Sequence, residues 1–263
     1  MNIGLVLSGG GMRGVAHIGA IKALEEFGIF VTHISGSSAG AIVGALYAYG
    51  YSPKEILDFF KSIQLFDLKK YALGKPGFID AEKFYTELNG MIKEDDFNAL
   101  QIHLYVTATD ILKGNLAMFN SGELIKPVLA SAAFPGVFAP VKIGNSYHVD
   151  GGALNNFPVE ALVPICDTII GIYANGYHQI SIKDLKHSYN VVERAFKLKT
   201  VQEDYAKFKD CNLVIAPTEL DNYGTFEKKN LNTIFKIGYE ATLEALENNL
   251  KLRQKIASQA VEN

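Results

Sequence analysis

The chain of 263 residues is 48% hydrophobic and 20% charged, which is enough apolar side chain to bury a sizeable core. Its formal net charge of -3 gives no electrostatic reason to expect nucleic acid as a partner. Cys166 and Cys211 fit no metal-ligand or redox spacing and do not make a secreted disulfide framework, which favours a reducing compartment.

The first fifty residues alternate between strand and helix patterns. They predict a strand at 3–8, a helix at 15–27, a strand at 30–35 and a helix at 41–48. Gly28 and Gly50 stand where the two helices should end. Two consecutive β-α units of this size predict an α/β fold, with a parallel sheet whose faces are both covered by helices.

The rest of the chain continues the mixture of patterns. Predicted helices fall within 53–97 with a break at 74–77, and at 124–133, 188–209 and 227–255; predicted strands fall at 104–109, 147–149, 168–173 and 213–215. No repeat or linker divides these elements, so we expect one domain over residues 1–263. The aromatic-rich stretch 59–78 is interpreted as a helical hairpin that completes the core, with a lid or an acyl-chain groove as the alternative.

Two features of the sequence bear on location. The chain opens on a strand pattern rather than on a signal peptide. Its longest nearly uncharged apolar run, around residues 39–51, is too short to span a bilayer. We therefore expect a cytoplasmic protein, for which peripheral contact with a membrane stays open.

Residues 36–40 form a G-x-S-x-G motif between a strand pattern and a helix pattern. A sharp strand-to-helix turn there exposes the hydroxyl of Ser38 at the carboxyl edge of the sheet, and Gly36 and Gly40 leave room for the turning backbone. The helix N-terminus that follows favours developing negative charge. The motif predicts Ser38 as a nucleophile, and a glycine-rich packing turn is the alternative interpretation.

Residues 9–14, G-G-G-M-R-G, join the first strand to the first helix and satisfy the G-x-G-x-x-G pattern of dinucleotide-binding folds. Dinucleotide binding needs an acidic residue at the end of the next strand, and here that strand runs on into the serine turn. A phosphate-binding P-loop needs a lysine where Val15 stands. We therefore expect no nucleotide, no other cofactor and no metal.

The same glycine loop is better suited to an oxyanion hole. Gly9, Gly10 and Gly11 present backbone N–H groups that no side chain shields, and one good donor stabilises a tetrahedral intermediate by about 3–4 kcal/mol. Neighbouring parallel strands would place this loop beside Ser38. Arg13 stands next to a helix N-terminus, which disfavours cations, so it predicts an anionic partner or a bond that braces the loop; an ordinary surface arginine is the alternative.

A serine nucleophile needs a neighbouring group that accepts its proton. The chain order of an α/β-hydrolase would use Ser38, Asp150 and either His178 or His187. In an extended segment, His148 would point to the same side as Asp150. None of these histidines lies in a distinctive motif.

Asp150, followed by Gly151 and Gly152, is the better candidate for the base. Nothing bulky follows the aspartate, so it can approach a neighbouring turn closely, and a carboxylate can accept the proton directly. Partial burial would raise its pKa and improve the match with serine. An ordinary D-G-G turn is the alternative interpretation.

Three motifs in register resemble the patatin-like phospholipase family: residues 9–14, 36–40 and 150–152. Residues 130–141 and the triplet 108–110 followed by Gly114 are similar to the family as well. The compact chain resembles the minimal bacterial members, which are related to the catalytic domain of neuropathy target esterase. Gly152 stands where some members have alanine.

The resemblance implies a patatin-like three-layer fold, in which a central, mostly parallel sheet is flanked by helices. It also implies a Ser–Asp dyad without a catalytic histidine: Ser38 attacks an ester carbonyl, Asp150 accepts its proton, and water releases the acyl-enzyme. Gly10 and Gly11, with or without Gly9, would supply the oxyanion donors. The other motif glycines would support these turns: Gly14, Gly36, Gly40, Gly151 and Gly152.

The resemblance implies that Arg13 braces or charges the loop and that the substrates are acyl esters of phospholipids, lysophospholipids or neutral lipids. Nothing in the sequence selects among these lipids. Acyl transfer is the alternative enzyme hypothesis, because the same acyl-enzyme can pass its acyl group to an alcohol or a thiol. A catalytically idle lipid-binding or regulatory protein is the alternative from a different class.

Overall fold

The computed structural model describes residues 1–63, 81–185, 188–249 and 252. The strands in these ranges are β1 (Ile3–Leu7), β2 (His33–Ser37), β3 (His103–Asp110), β4 (Asn115–Phe119), β5 (Val141–Ile143), β6 (Ser146–Asp150), β7 (Thr168–Ile172) and β8 (Leu213–Ile215). The α-helices there are α1 (Val15–Glu26), α2 (Ala39–Ala48), α3 (Pro53–Ser62), α4 (Ala81–Met91), α5 (Ile125–Ser131), α6 (Ser188–Ala206) and α7 (Leu231–Asn248).

All eight of these strands belong to one sheet, in the order β5-β6-β3-β2-β1-β7-β8, with β4 paired to β3. The strands from β3 to β8 in that order pair in parallel. The pairings of β4, β5 and β6 are antiparallel. The predicted α/β fold with a central, mostly parallel sheet is therefore confirmed, with an antiparallel extension on the β3 side.

Strands β2 and β6 meet end to end along one edge of β3. Val106 to Asp110 of β3 pair with β4, which occupies the opposite edge. Ser37, the last residue of β2, lies opposite Thr107, and Asp150, the last residue of β6, lies opposite Ala108. The two strands run towards each other along this edge, so the chain must leave the sheet where they meet. It does so within a residue or two of Ser37 and of Asp150.

The two faces of the sheet carry separate hydrophobic cores. Leu5 and Leu7 of β1 belong to the larger core, which is shared with α1 to α5 and α7. Val6, between them, belongs to a smaller core with Phe157 and Tyr173. The alternation along one strand shows that β1 is buried from both sides, as a central strand of a parallel sheet requires.

Several predicted boundaries differ from the observed ones. The second strand was predicted at 30–35, and this is wrong: β2 is His33–Ser37, since its pairing with β1 begins at Gly4 and His33. The hairpin strand β4 and the three-residue β5 were not predicted, because they lie at the sheet margin with mixed exposure and little apolar periodicity. The predicted break at 74–77 lies outside the described residues.

The remaining predictions about organisation concern helix ends, membrane spans, domain extent and location. Gly28 and Gly50 do follow α1 and α2, with positive φ angles of 70° and 108°. No described helix is both long and apolar enough to cross a membrane. The single domain over residues 1–263 and the cytoplasmic location stay predictions.

Candidate active site

Ser38 sits in a strained turn between β2 and α2. With φ 54° and ψ −124°, it has the one positive φ angle among the described residues other than glycine. Such backbone conformations cost of order 1–3 kcal/mol and persist where the surrounding structure enforces them. Gly40 enforces the turn by packing against the backbone carbonyl of Leu7, where a Cβ atom would collide. The turn places the Ser38 hydroxyl at the N-terminus of α2.

The Ser38 hydroxyl donates a hydrogen bond to Asp150. Its Oγ lies 2.7 Å from Asp150 Oδ2, and the Gly152 N–H donates to Asp150 Oδ1 at 2.8 Å. These contacts follow from the end-to-end meeting of β2 and β6, because Ser38 leaves one strand where Asp150 closes the other. The structure thus brings together the predicted nucleophile and the predicted base.

Asp150 is only 2% exposed, and this burial raises the pKa of its carboxyl to about 7. The hydrogen bonds from Ser38 and Gly152 act in the opposite direction and lower that pKa. A pKa near neutrality suits a general base, which must be largely deprotonated and still accept a proton from serine.

Ser131, at the C-terminal end of α5, holds the backbone of the nucleophile. The N–H of Ser38 donates to Ser131 Oγ at 2.8 Å, and Ser131 is fully buried. The bond fixes the strained turn and directs this N–H away from any oxyanion. Ser131 lies in a segment similar to the family, but nothing in the sequence indicates this contact, because its partner is a backbone group 93 residues away.

The three predicted oxyanion donors differ in availability. The N–H of Gly9 donates to the backbone carbonyl of Asn156 at 3.1 Å. Among the described residues, the N–H groups of Gly10 and Gly11 have no acceptor, and both residues line the same cavity as Ser38. Gly11 has φ 59°, a left-handed conformation that favours glycine. Of the three predicted donors, Gly10 and Gly11 are therefore the ones whose N–H groups are available; their role at an oxyanion stays a prediction.

Arg13 is a buried brace for this loop. Its guanidinium donates to the following acceptors: Asn175 Oδ1 at 2.8 Å, Thr225 Oγ1 at 2.9 Å, Gly10 O at 3.3 Å and Tyr223 O at 3.5 Å. Glu193 is its ion-pair partner at 3.7 Å. Burial lowers the pKa of Arg13, and Glu193 opposes that shift. The alternative of a surface arginine is wrong, since Arg13 is only 4% exposed.

Asn156 joins the glycine loop to a second buried carboxyl. Besides accepting from Gly9, it donates from Nδ2 to Asp204 Oδ2 at 3.0 Å. The Tyr173 hydroxyl donates to the same oxygen at 2.9 Å. Burial raises the pKa of Asp204 to about 6, while these two hydrogen bonds lower it. No motif in the sequence indicates these contacts of Asn156, because Gly9 and Asp204 are both distant from it in the chain.

The other motif glycines lie at close backbone or side-chain contacts around Ser38 and Asp150. A Cβ atom added at Gly14 would meet Ala39, and one added at Gly36 would meet the backbone of Gly40 and Ala41. A Cβ atom at Gly151 would meet Thr107 and Ser37, and one at Gly152 would meet Asn156 and Asp150. Their contacts are consistent with the supporting role that the motifs imply, which stays a prediction.

The candidate histidines are engaged elsewhere. His178 Nδ1 lies 3.5 Å from Asp221 Oδ2, and His148 Nε2 lies 3.9 Å from Asp110 Oδ2. In the part of the chain that the structure describes, no histidine hydrogen bonds to Ser38 or Asp150. His187 lies outside the described residues.

A largely apolar cavity surrounds the dyad. It has an empty volume of about 940 Å³, its open mouth included, and is lined by both Ser38 and Asp150. Its described lining contains six phenylalanines: Phe60, Phe84, Phe134, Phe138, Phe196 and Phe226. Phe60 belongs to the stretch 59–78, of which only 59–63 are described, so the hairpin, lid or groove predicted there stays a prediction.

The model of the patatin-like phospholipase family matches residues 5–163, more than half of the chain. The chain belongs to the patatin-like phospholipase family. This confirms the family that the three motifs predicted. The predicted enzyme class, a lipid ester hydrolase, is the class that the family's name describes.

Curated relatives of this patatin-like chain include NTE family proteins of Mycobacterium tuberculosis and Mycobacterium bovis. They are 34% identical over 178 residues, which is 66% of this chain and 49% of theirs. The lysophospholipase NTE1 of Pyricularia oryzae is 27% identical over 292 residues, covering 99% of this chain and 19% of its own length. The chain thus spans about half the length of the mycobacterial relatives and about a fifth of the fungal one.

Solved structures show the same fold. VipD from Legionella pneumophila superposes with a TM-score of 0.59 at 18% identity, covering 94% of this chain and 67% of VipD. Human GIVD cytosolic phospholipase A2, solved with methyl gamma-linolenyl fluorophosphonate, gives 0.54 at 12% identity, covering 97% and 59%. The predicted patatin-like fold is confirmed.

Proposed function

We propose that this patatin-like chain is a serine lipid acyl hydrolase of the phospholipase A or lysophospholipase type, working through a Ser38–Asp150 dyad. The hydrogen bond of 2.7 Å between Ser38 Oγ and Asp150 Oδ2 carries the proposal. The lysophospholipase name of the Pyricularia relative supports the substrate class. The phenylalanine-lined cavity suits the acyl chain of a lipid.

The first half-reaction builds the acyl-enzyme. Ser38 Oγ attacks the ester carbonyl carbon while its proton passes to Asp150 Oδ2, along the hydrogen bond already present. The N–H groups of Gly10 and Gly11 stabilise the negative oxygen of the tetrahedral intermediate. The intermediate collapses as Asp150 gives the proton to the leaving alcohol, which breaks the ester bond and leaves the acyl group on Ser38.

The second half-reaction releases the fatty acid. Asp150, again deprotonated, accepts a proton from a water that attacks the acyl-Ser38 carbonyl, and the same glycine donors stabilise the second oxyanion. Collapse returns the proton to Ser38 and frees the acid. An alcohol in place of that water would give acyl transfer, with the same residues in the same roles.

The test is hydrolysis of a lysophospholipid by four proteins: wild type, Ser38→Ala, Asp150→Asn and His178→Ala. We expect Ser38→Ala to abolish turnover and Asp150→Asn to lower kcat by roughly 10²- to 10⁴-fold, the usual contribution of a general base. His178→Ala should stay within about twofold, since His178 contacts Asp221 rather than the dyad. Full activity of folded Asp150→Asn would contradict the proposal, and an ester product in the presence of glycerol would reveal transfer.

A further inference from the structure

Lys197, on α6, lines the same cavity as Ser38 and has no part in the dyad chemistry. It is 6% exposed, although lysine is among the residues least often buried. Its Nζ forms an ion pair of 3.3 Å with Asp221 Oδ1. A buried ammonium beside a lipid ester site therefore needs a functional or a structural explanation.

The hydrogen-bond capacity of Lys197 is mostly unused. An ammonium has three N–H donors, and among the described residues Lys197 makes one hydrogen bond, the long one to Asp221. Arg13, the other cation of the cavity, uses four of its five N–H donors on the glycine loop, on Asn175 and on the segment around Thr225. Lys197 is therefore the cation of this cavity with more donors left for a ligand.

Lys197 lies in a cluster of two cations and two carboxylates, with Arg13, Glu193 and Asp221. Asp221 is shared with His178, whose Nδ1 lies 3.5 Å from the second carboxylate oxygen. Glu193 is shared with Arg13 and accepts a hydrogen bond from Thr225. Burial and the charge of Arg13 lower the pKa of Lys197 to about 8, against the influence of Asp221 and Glu193. Lys197 thus shares both carboxylates with other groups and keeps N–H donors for a ligand.

We propose that Lys197 binds the phosphate of a phospholipid or lysophospholipid substrate and so makes the enzyme prefer these esters to neutral acylglycerols. The inference rests on the proposed function and narrows its substrate class. In this arrangement the acyl chain occupies the apolar part of the cavity, which includes Phe196 on the same helix, and the phosphate meets the ammonium.

The kinetic test compares two esters with one acyl chain, oleoyl lysophosphatidylcholine and monooleoylglycerol. Lys197→Met should lower kcat/KM for the lysophospholipid by roughly 10- to 100-fold, as loss of a charge-assisted hydrogen bond does, and mainly through KM. Monooleoylglycerol turnover should stay within about twofold, and Lys197→Arg should recover part of the preference. Lys236→Met is the matched control, because Lys236 pairs with Glu240 at 3.4 Å on the exposed side of α7.

Two further variants separate binding from folding and from catalysis. The double variant, Lys197→Met with Asp221→Asn, removes one buried charge of each sign. We expect it to show the same loss of preference for the lysophospholipid. In a Ser38→Ala background, which needs no turnover, Lys197→Met should weaken lysophosphatidylcholine binding in calorimetry and leave monooleoylglycerol binding unchanged. Glycerophosphocholine should compete with the lysophospholipid only weakly if the lipid headgroup, rather than free phosphodiester, is the ligand.

The outcomes distinguish the two proposals. An unchanged preference between the two esters, together with unchanged lysophosphatidylcholine binding, would overturn the assignment of Lys197. An equal loss of kcat/KM for both esters, in Lys197→Met and in the double variant with Asp221→Asn, would overturn it as well. Hydrolysis of neither ester by the folded wild type would contradict the proposed function. The binding measurement in the Ser38→Ala background would still decide the role of Lys197 in that case.

Discussion

At Asp150, burial and hydrogen bonding act on the pKa in opposite directions. Burial raises it to about 7, and the hydrogen bonds from Ser38 and Gly152 limit the rise. A carboxylate in water has a pKa near 4 and is a weak base towards serine. In the proposed mechanism, burial therefore makes Asp150 a stronger base, at the cost of holding a carboxylate away from water.

The pH profile of a neutral, soluble ester should therefore follow Asp150. We expect kcat/KM to rise about tenfold per pH unit below pH 7 and to level off above it, because only the ionised carboxylate accepts the proton. The measurement is the hydrolysis of p-nitrophenyl butyrate from pH 5 to 8. A profile that is flat over this range would contradict a base with a pKa of about 7.

Asp150→Asn should stabilise the fold, and more so at high pH. The folded pKa lies above the unfolded value of 3.8, so the wild type loses stability as pH rises towards about 7. Asparagine stays neutral, and its advantage should grow by about 2–3 kcal/mol between pH 5 and pH 8, at 1.36 kcal/mol per unit of pKa. Urea unfolding of both proteins at the two pH values measures this. If the difference in unfolding free energy between the two proteins does not change with pH, the pKa of Asp150 is not raised in the folded state.

At the scale of secondary structure elements, three elements converge on the nucleophile. Strand β2 ends in the serine turn, β6 ends in Asp150, and α5 ends in Ser131. The N–H of Ser38 is tied to Ser131 Oγ at 2.8 Å, which holds φ at 54°. The position of the hydroxyl therefore depends on how a helix packs on the sheet, and not on the pentapeptide alone.

Ser131→Ala should loosen the serine turn without touching the reacting atoms. We expect a loss of about 1–3 kcal/mol in unfolding free energy, because the Ser38 N–H loses its acceptor, and a fall of about tenfold or more in kcat at nearly constant KM. Ser37→Ala is the control, since the neighbouring Ser37 hydroxyl is buried and has no hydrogen-bond partner in the part of the chain that the structure describes. Equal effects of the two variants on kcat would contradict a specific role for Ser131.

Local motifs were sufficient to single out Ser38, Asp150 and the glycine loop, which the structure brings together, because each depends on backbone conformations that a few adjacent residues determine. They were insufficient for Ser131 and Lys197. The role of Ser131 depends on one hydrogen bond across 93 residues, and that of Lys197 on the packing of α6 beside the cavity. Neither residue stands in a pattern that indicates such a partner.

At the scale of the whole molecule, the site depends on a sheet buried from both faces. The parallel half was predictable, because alternating strand and helix patterns force right-handed crossovers. The antiparallel half was not, since β4 and β5 are short marginal strands with mixed exposure. Strand β6 itself was predicted at 147–149, but its antiparallel pairing, which places Asp150 opposite Ala108 of β3, was not.

The smaller core should contribute substantially to stability. Phe157 is fully buried, with its ring centroid 5.9 Å from that of Tyr173 and 5.3 Å from that of Phe208. Phe157→Ala should cost about 3–5 kcal/mol of unfolding free energy. Phe30→Ala, at a position 67% exposed, should cost less than about 0.5 kcal/mol. Urea unfolding compares them, and a cost below about 1 kcal/mol for Phe157→Ala would contradict the two-core description.

The most direct test of the dyad is covalent labelling with a long-chain alkyl fluorophosphonate, followed by intact mass and peptide mapping. We expect one adduct, on Ser38, in the wild type and in His178→Ala, and none in Ser38→Ala. Asp150→Asn should label at least about a hundredfold more slowly, because its side chain hydrogen bonds but does not accept the serine proton. Labelling of Asp150→Asn at the wild-type rate, or no adduct on Ser38 of the folded wild type, would contradict a Ser38–Asp150 dyad.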